Sequence, residues 1–259
     1  MIAMKNKPII IFTFLYSISF GQEISANEIM ERVHSIKRPS ASIMEIRLDI
    51  TRVKRKKEKT KVREFIRYEK YYDSGKYRYK SLARFIKPKI VKGTGLLSWI
   101  NRNGQTEQWF FLPKLKTAKK VKVKEKSRSF LNTDFIYEDL ESRKPGLDSL
   151  ASIGTEFING NQCKVLMAWP KSESAYFSRK IWVNIRNWQI CKVEYYKSEF
   201  EKQKTLTLTD FIEDNGFTTA GKMVMDSGDG NKTVMQVMSF KANVGLNDEI
   251  FSRSFLIKI

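Results

Sequence analysis

The sequence predicts a mainly β protein of the α+β kind, built on a single curled antiparallel sheet with a few helices. Three observations carry that prediction. From residue 42 onward apolar residues recur with period two in run after run, as strands with one buried face require. Short reversal signals separate the runs: Asp73-Ser-Gly75, Asn101-Arg-Asn-Gly104, Asn159-Gly-Asn161, Asn215-Gly216 and Asp229-Gly230. Asn and Gly tolerate the positive φ that tight turns need. No strand-like run alternates with an amphipathic helix, so a parallel βαβ sheet is excluded. About a dozen strands in one sheet curl rather than stay flat.

Residues 1–21 read as a secretory signal. Lys5 and Lys7 precede an apolar run over 9–20, and Ser19-Phe-Gly21 supplies small residues before Gln22, placing cleavage at about Gly21/Gln22. The run is short for a membrane-spanning helix, which needs about 20 apolar residues; an uncleaved anchor is the competing reading. Residues 22–259 form one domain, since no linker rich in Pro, Gly or Ser divides them.

Ser25-Ala-Asn-Glu28 matches a capping box, and Ile29, Met30, Val33 and Ile36 follow at helical spacing, predicting a helix over 26–36 that ends before Pro39. Strands are expected over 44–50 and 62–72, joined by a basic hairpin tip at 54–61, then over 76–86. An aromatic hairpin follows over 96–100 and 108–112, and Pro113 ends its second run because it has no N–H for a ladder. Next comes a cationic segment, in which Lys114, Lys116, Lys119, Lys120, Lys122, Lys124, Lys126 and Arg128 face one acid, Glu125. Residues 138–153 carry Leu140, Leu147 and Leu150 around Pro145-Gly146 and are expected as short helices packed on the sheet. The remaining strands are expected over 155–158, 162–169, 177–184, 189–196, 205–213, 218–226 and 232–240.

Two lysines and no acid lie in 1–21, so the exported part keeps +18 of the formal +20. Such an excess calls for anionic partners or serves as a solvated basic face. Export argues against nucleic acid, leaving an anionic membrane surface as the expected partner. Cys163 and Cys191 open alternate strands of a meander, where Cα atoms lie about 9–10 Å apart, beyond the roughly 7 Å that a disulfide spans. Both are expected as buried thiols.

Chemistry is hard to assemble from these residues. His34 is the only histidine, and the two cysteines lack C-x-x-C spacing, so no metal site is expected. Lys92-Gly-Thr-Gly95 lacks the third glycine and the helix of a phosphate loop. Asp134, Glu138 and Asp139 could pair as catalytic carboxylates, but a role in capping or salt bridges suits their lysine-rich surroundings better. No enzyme and no cofactor is expected. Apolar surface is abundant instead. Trp99, Trp109, Phe111, Trp169 and Trp182 fall on expected strands, as do Met223, Met225 and Met235. Each fits either ordinary core packing or the lining of a cavity for acyl chains, which methionine's adaptable shape suits.

The stretch Trp109-Phe-Phe-Leu-Pro113, the basic segment and Ser129-Phe-Leu-Asn-Thr-Asp134-Phe-Ile-Tyr-Glu-Asp-Leu140 together resemble the LolA-like outer-membrane lipoprotein-sorting proteins, nearest their uncharacterised periplasmic branch. Ile181-Trp-Val-Asn184, Lys192-Val-Glu-Tyr-Tyr196 and Asn247-Asp-Glu-Ile-Phe251 extend the resemblance. It implies an incomplete β-barrel around a few helices, with an apolar cavity beneath a lid. It further implies a non-catalytic, monomeric periplasmic carrier of lipid or lipoprotein acyl chains, loaded by an inner-membrane transporter. Lys114, Lys116, Lys119, Lys120, Lys122 and Lys124 would then dock at a membrane or partner. In the sorting carrier an arginine ties the lid shut; no motif assigns that arginine a position here. The alternative is a basic envelope adaptor, with a fully packed core, that binds acidic polymers or a transporter complex.

Overall fold

The computed structural model describes residues 23–141, 143 and 146–258. The expected signal segment and Pro145 lie outside those residues. Helix α1 (Ala26–Ser35) starts at the expected cap, with Ser25 Oγ accepting from the Glu28 amide at 3.2 Å, and it buries Ala26, Ile29 and Val33. The long hairpin β1 (Ala41–Lys54) and β2 (Lys57–Tyr71) leads through β3 (Tyr77–Lys87), β4 (Gly95–Asn101) and β5 (Thr106–Leu112) to a short edge strand, β6 (Thr117–Lys120). After a largely irregular segment the chain forms a second meander: β7 (Asp148–Ile158), β8 (Asn161–Pro170), β9 (Ser178–Asn184), β10 (Ile190–Tyr196) and β11 (Lys202–Thr209). A small ribbon, β12 (Ile212–Asp214) and β13 (Phe217–Thr219), precedes β14 (Lys222–Asp226), β15 (Lys232–Ala242) and the terminal helix α2 (Arg253–Ile257).

Thirteen strands form one antiparallel sheet in the order β6-β5-β4-β3-β2-β1-β15-β14-β11-β10-β9-β8-β7. β15 joins the two meanders, pairing with β1 from Ser42↔Ala242 to Thr51↔Lys232. β6 and β7 stand at opposite ends of the order, so the sheet curls without closing. One face, here the inner face, carries α1 and residues 130–140. Its core gathers Ile29 and Val33 of α1, Phe130 and Phe135, and alternate strand residues such as Ile46, Leu48, Phe85, Leu166 and Val193. The outer face has two smaller cores. Leu82, Leu97, Trp109 and Phe111 lie under Phe251 and Leu256, while Cys163, Val165, Trp182 and Cys191 form the other.

Two expectations need correction. Residues 148–153 are not helical: the Leu147/Leu150 spacing mimics a helix, but the stretch pairs with β8 from Asp148↔Pro170 to Ser152↔Leu166. Among the described residues of that stretch, the helical part is the single 3-10 turn Tyr137–Leu140. The strands expected over 205–213 and 218–226 are each broken, at Asp210 (φ 51) and near Gly221, to release the β12–β13 ribbon.

That break depends on Gly221. Its N–H donates to the Asp210 carbonyl at 3.1 Å, and a Cβ at this position would lie 2.1 Å from that same oxygen. Gly221→Ala therefore forces two backbones apart and is expected to cost about 1–3 kcal/mol, read as a lower denaturant midpoint at unchanged m-value.

The cysteines are free and buried, as the meander predicts, with β9 lying between their strands. Burial pushes the Cys163 thiol up to about 12.

Candidate functional site

Residues 129–141 cross the inner face, and their hydrogen bonds tie them to strands far away in sequence. Thr133 Oγ1 donates to the Phe130 carbonyl at 2.6 Å, fixing a tight bend. Asp134 is held by β1 and β15. Its carboxylate accepts from Arg52 at 2.9 Å, Thr233 at 2.6 Å and Ser227 at 2.8 Å, while its N–H donates to Thr233 Oγ1 at 3.0 Å. Glu138 accepts from Ser174 Oγ at 2.6 Å, the Ala175 amide at 2.7 Å and Arg179 of β9 at 2.5 Å. Asp139 accepts from the Ile136 amide at 2.8 Å, Tyr176 Oη at 2.6 Å and Lys204 of β11 at 2.6 Å. Lys204 also donates to the Asp134 carbonyl at 2.9 Å.

Every oxygen of these three carboxylates accepts a hydrogen bond, so they anchor the segment. The sequence reading missed Arg52, Arg179 and Lys204 as their partners. Two of the three are arginines that fasten this covering segment to the sheet. Among the described residues no cluster of three His, Cys, Asp or Glu side chains is arranged to hold a metal.

Fastened this way, the segment leaves space beside it on the inner face. A cavity of ≈ 370 Å³ lies between α1, residues 135–141 and strands β1, β2, β11 and β15; one of ≈ 450 Å³ continues toward β9 and β10. Val33, Ile190, Leu206, Leu208 and Met223 line both. The combined space falls in the usual range for small-molecule and lipid sites. Many of its wall residues are apolar, and the ion-paired Glu138, Arg143, Asp148 and Arg179 also line the second cavity. In the first cavity Arg67 pairs with Glu69 at 2.5 Å, and Arg38 donates to Tyr71 Oη at 3.1 Å. In both, Glu141 meets Lys126 at 2.8 Å, yet burial still holds its carboxyl above the ordinary range. His34 lines the second cavity; burial, then the nearby Arg38 and Arg78 charges, depress it to about 4 and keep it neutral.

The residues expected to line an acyl cavity divide by face. Met223 and Met235 wall the first cavity, facing each other across the β14–β15 pair, and Met225 is sealed in the inner core. Trp99, Trp109 and Phe111 lie on the outer face instead. There Trp99 Nε1 donates to the Phe251 carbonyl at 2.8 Å, and its ring packs tilted against Trp109 with centroids 4.5 Å apart. The alternate residue, Phe110, points inward against Phe130. Trp182 also packs outward, donating to Glu156 at 2.8 Å, and Trp169 is partly exposed. All six expected docking lysines, Lys114, Lys116, Lys119, Lys120, Lys122 and Lys124, are exposed. Lys120 is engaged with Glu107 at 2.8 Å and lies over the Trp109 ring.

A family model described as that of an uncharacterized protein matches residues 78–258, most of the chain. No curated protein matches in sequence. Among solved structures, a domain from Vibrio parahaemolyticus described as an outer membrane lipoprotein-sorting protein superposes with a TM-score of 0.82 at 24% identity, covering 90% of this chain and 98% of that one. A DUF1329 family protein from Desulfovibrio piger gives 0.81 at 24%, over 89% and 97%. A LolA superfamily protein from Nitrosomonas europaea gives 0.67 at 19%, over 90% and 99%. At these identities the likeness is one of fold. The chain belongs to the uncharacterized-protein family whose model spans 78–258, and its fold is the LolA-like fold of outer-membrane lipoprotein-sorting proteins.

Proposed function

We propose that this protein is a non-catalytic periplasmic carrier whose inner cavity holds the acyl chains of a lipid or a lipid-modified protein. The observation that supports it best is the apolar space lined by Val33, Leu206, Leu208 and Met223, flanking a segment tied down by Asp134, Glu138 and Asp139. An acyl chain crossing water exposes methylenes worth about 0.8 kcal/mol each, so a carrier must offer a comparably apolar chamber. The polar groups at Arg38, Arg67 and Glu69 can meet the less apolar end of such a ligand. Release of the anchored segment would open the chamber for exchange. Loading would draw its energy from a membrane partner such as an inner-membrane transporter.

The test is native mass spectrometry of the mature protein purified from its own envelope, with parallel lipid extraction. A co-purifying phospholipid or lipidated peptide is the expected result. A clean unliganded mass, together with no uptake of a fluorescent acyl probe, would reject the carrier and favour the basic adaptor.

A further inference from the structure

The basic hairpin tip, which the cavity does not use, gains meaning from the strand pairings. Lys54↔Lys57 closes the β1–β2 tip, and Glu64↔Lys87 brings the end of β3 alongside the same hairpin. Arg84↔Gly95, Gly95↔Phe111 and Leu112↔Thr117 then place the 88–94 loop and the 113–116 turn at that same end of the sheet. Three connections far apart in sequence thus share one rim of the sheet, with the hairpin tip projecting past the other two. Over 53–64, 87–92 and 113–116 that rim carries twelve Lys and Arg against two acids, Glu58 and Glu64. Glu64 is already engaged by Lys87 at 2.8 Å. The turn over 197–202, at the same end of the second meander, balances Lys197 and Lys202 against Glu199 and Glu201. The charge excess therefore belongs to the β1–β6 half of the rim.

The rim also exposes apolar side chains at its tips. Ile90 is 78% exposed and Leu115 49% exposed, and they flank an open groove of ≈ 640 Å³ edged by Lys89, Lys92 and Lys114. Val53 and Val62 are exposed beside the hairpin tip. Cations that ring protruding apolar residues fit a bilayer interface, where headgroup phosphates meet the lysines and the acyl boundary receives the apolar tips. A soluble polyanion would use the charges and leave Ile90 and Leu115 in water.

We propose that this rim, formed by the 53–63 hairpin tip, the 88–92 loop and the 113–116 turn, docks the protein reversibly on an anionic phospholipid surface. The proposal rests on the carrier reading only in that a carrier must reach a bilayer. It moves the expected contact away from most of the 114–124 segment: Lys114 and Lys116 lie on the rim, whereas β6 carries Lys119 and Lys120 away from it. Each cation near an anionic surface contributes about fivefold to partitioning.

The test is co-sedimentation of the full mature chain with vesicles of phosphatidylcholine alone or of phosphatidylcholine mixed with phosphatidylglycerol. Acyl-probe uptake is measured separately on the same preparations. Binding only to the mixed vesicles, weakening as salt rises, is expected. Replacing Lys54, Arg55, Lys56 and Lys57 by Gln, all exposed and remote from the cavity, should reduce binding at least a hundredfold with unchanged circular dichroism. Ile90→Ser should lower vesicle binding severalfold and leave heparin binding unaltered. Equal binding to neutral vesicles, unchanged binding in the four-Gln variant, or heparin binding without vesicle binding would each overturn the proposal. Vesicle binding without probe uptake would uphold the docking surface and reject the carrier; uptake without vesicle binding would do the reverse.

Discussion

Lys204→Met is expected to destabilise the protein by about 3–5 kcal/mol, because it leaves the Asp139 carboxylate buried without its cation. The pair is among the most enclosed in the structure, with side chains 5% and 1% exposed and 2.6 Å apart. Lys204 also donates to the Asp134 carbonyl, so its loss frees a second acceptor at the other end of the anchored segment. For a domain of this size the expected loss corresponds to roughly 10 °C in melting temperature. The pair need not be worth that much itself, since desolvating two charges offsets most of their attraction. Hence Lys204→Met combined with Asp139→Asn, which removes the stranded charge and keeps an oxygen for the Ile136 amide, should recover much of the loss. Urea titrations of both variants check this. If the double variant is no more stable than Lys204→Met alone, the cost lies in lost packing rather than in an unpaired charge.

This anchoring also marks where the sequence stops being informative. The local chemistry of 129–140 was legible, and the segment stands out as a unit with three acids in a fixed pattern. Its partners lie 41 residues away for Arg179, 65 for Lys204 and 99 for Thr233, and nothing in the intervening residues specifies those pairings. The sheet itself was legible because alternation and Asn-Gly turns are local signals. The inward face of the aromatic hairpin was not. In β4 and β5 both faces are buried, the inner one under Phe130 and Tyr137 and the outer one under Phe251 and Leu256. A strand covered on both sides reads as continuous apolar sequence, so hydrophobicity cannot say which residues face the core. Trp99, Trp109 and Phe111 therefore resembled lining residues as much as Phe110 did. What covers the outer face is the terminal segment, which Arg84 fastens through the carbonyls of Phe255 (2.7 Å), Leu256 (3.0 Å) and Lys258. That cover was not visible in a run as short as 253–257.

The division between faces makes the cavity testable without disturbing the fold. Met223→Trp should abolish acyl-probe uptake while changing stability by no more than about 1.5 kcal/mol, because the larger ring enters space that is already empty. Met223 lines both cavities and faces Met235 across the strand pair, so one indole there obstructs the passage between them. In a fully packed core the same substitution would behave oppositely, forcing neighbours apart at a cost of about 1–3 kcal/mol and leaving nothing to block. A control comes from the other face. Trp99→Phe removes the hydrogen bond to the Phe251 carbonyl and should loosen the terminal helix, yet it should leave uptake unchanged because Trp99 does not reach the cavity. Paired melting curves and probe titrations on the two variants separate the cases. Loss of uptake in Met223→Trp with a near-native melt, beside normal uptake in Trp99→Phe, assigns the ligand to the inner face. Unchanged uptake in Met223→Trp would place any bound acyl chain elsewhere, and a large loss of stability would show that the space is not available to a ligand.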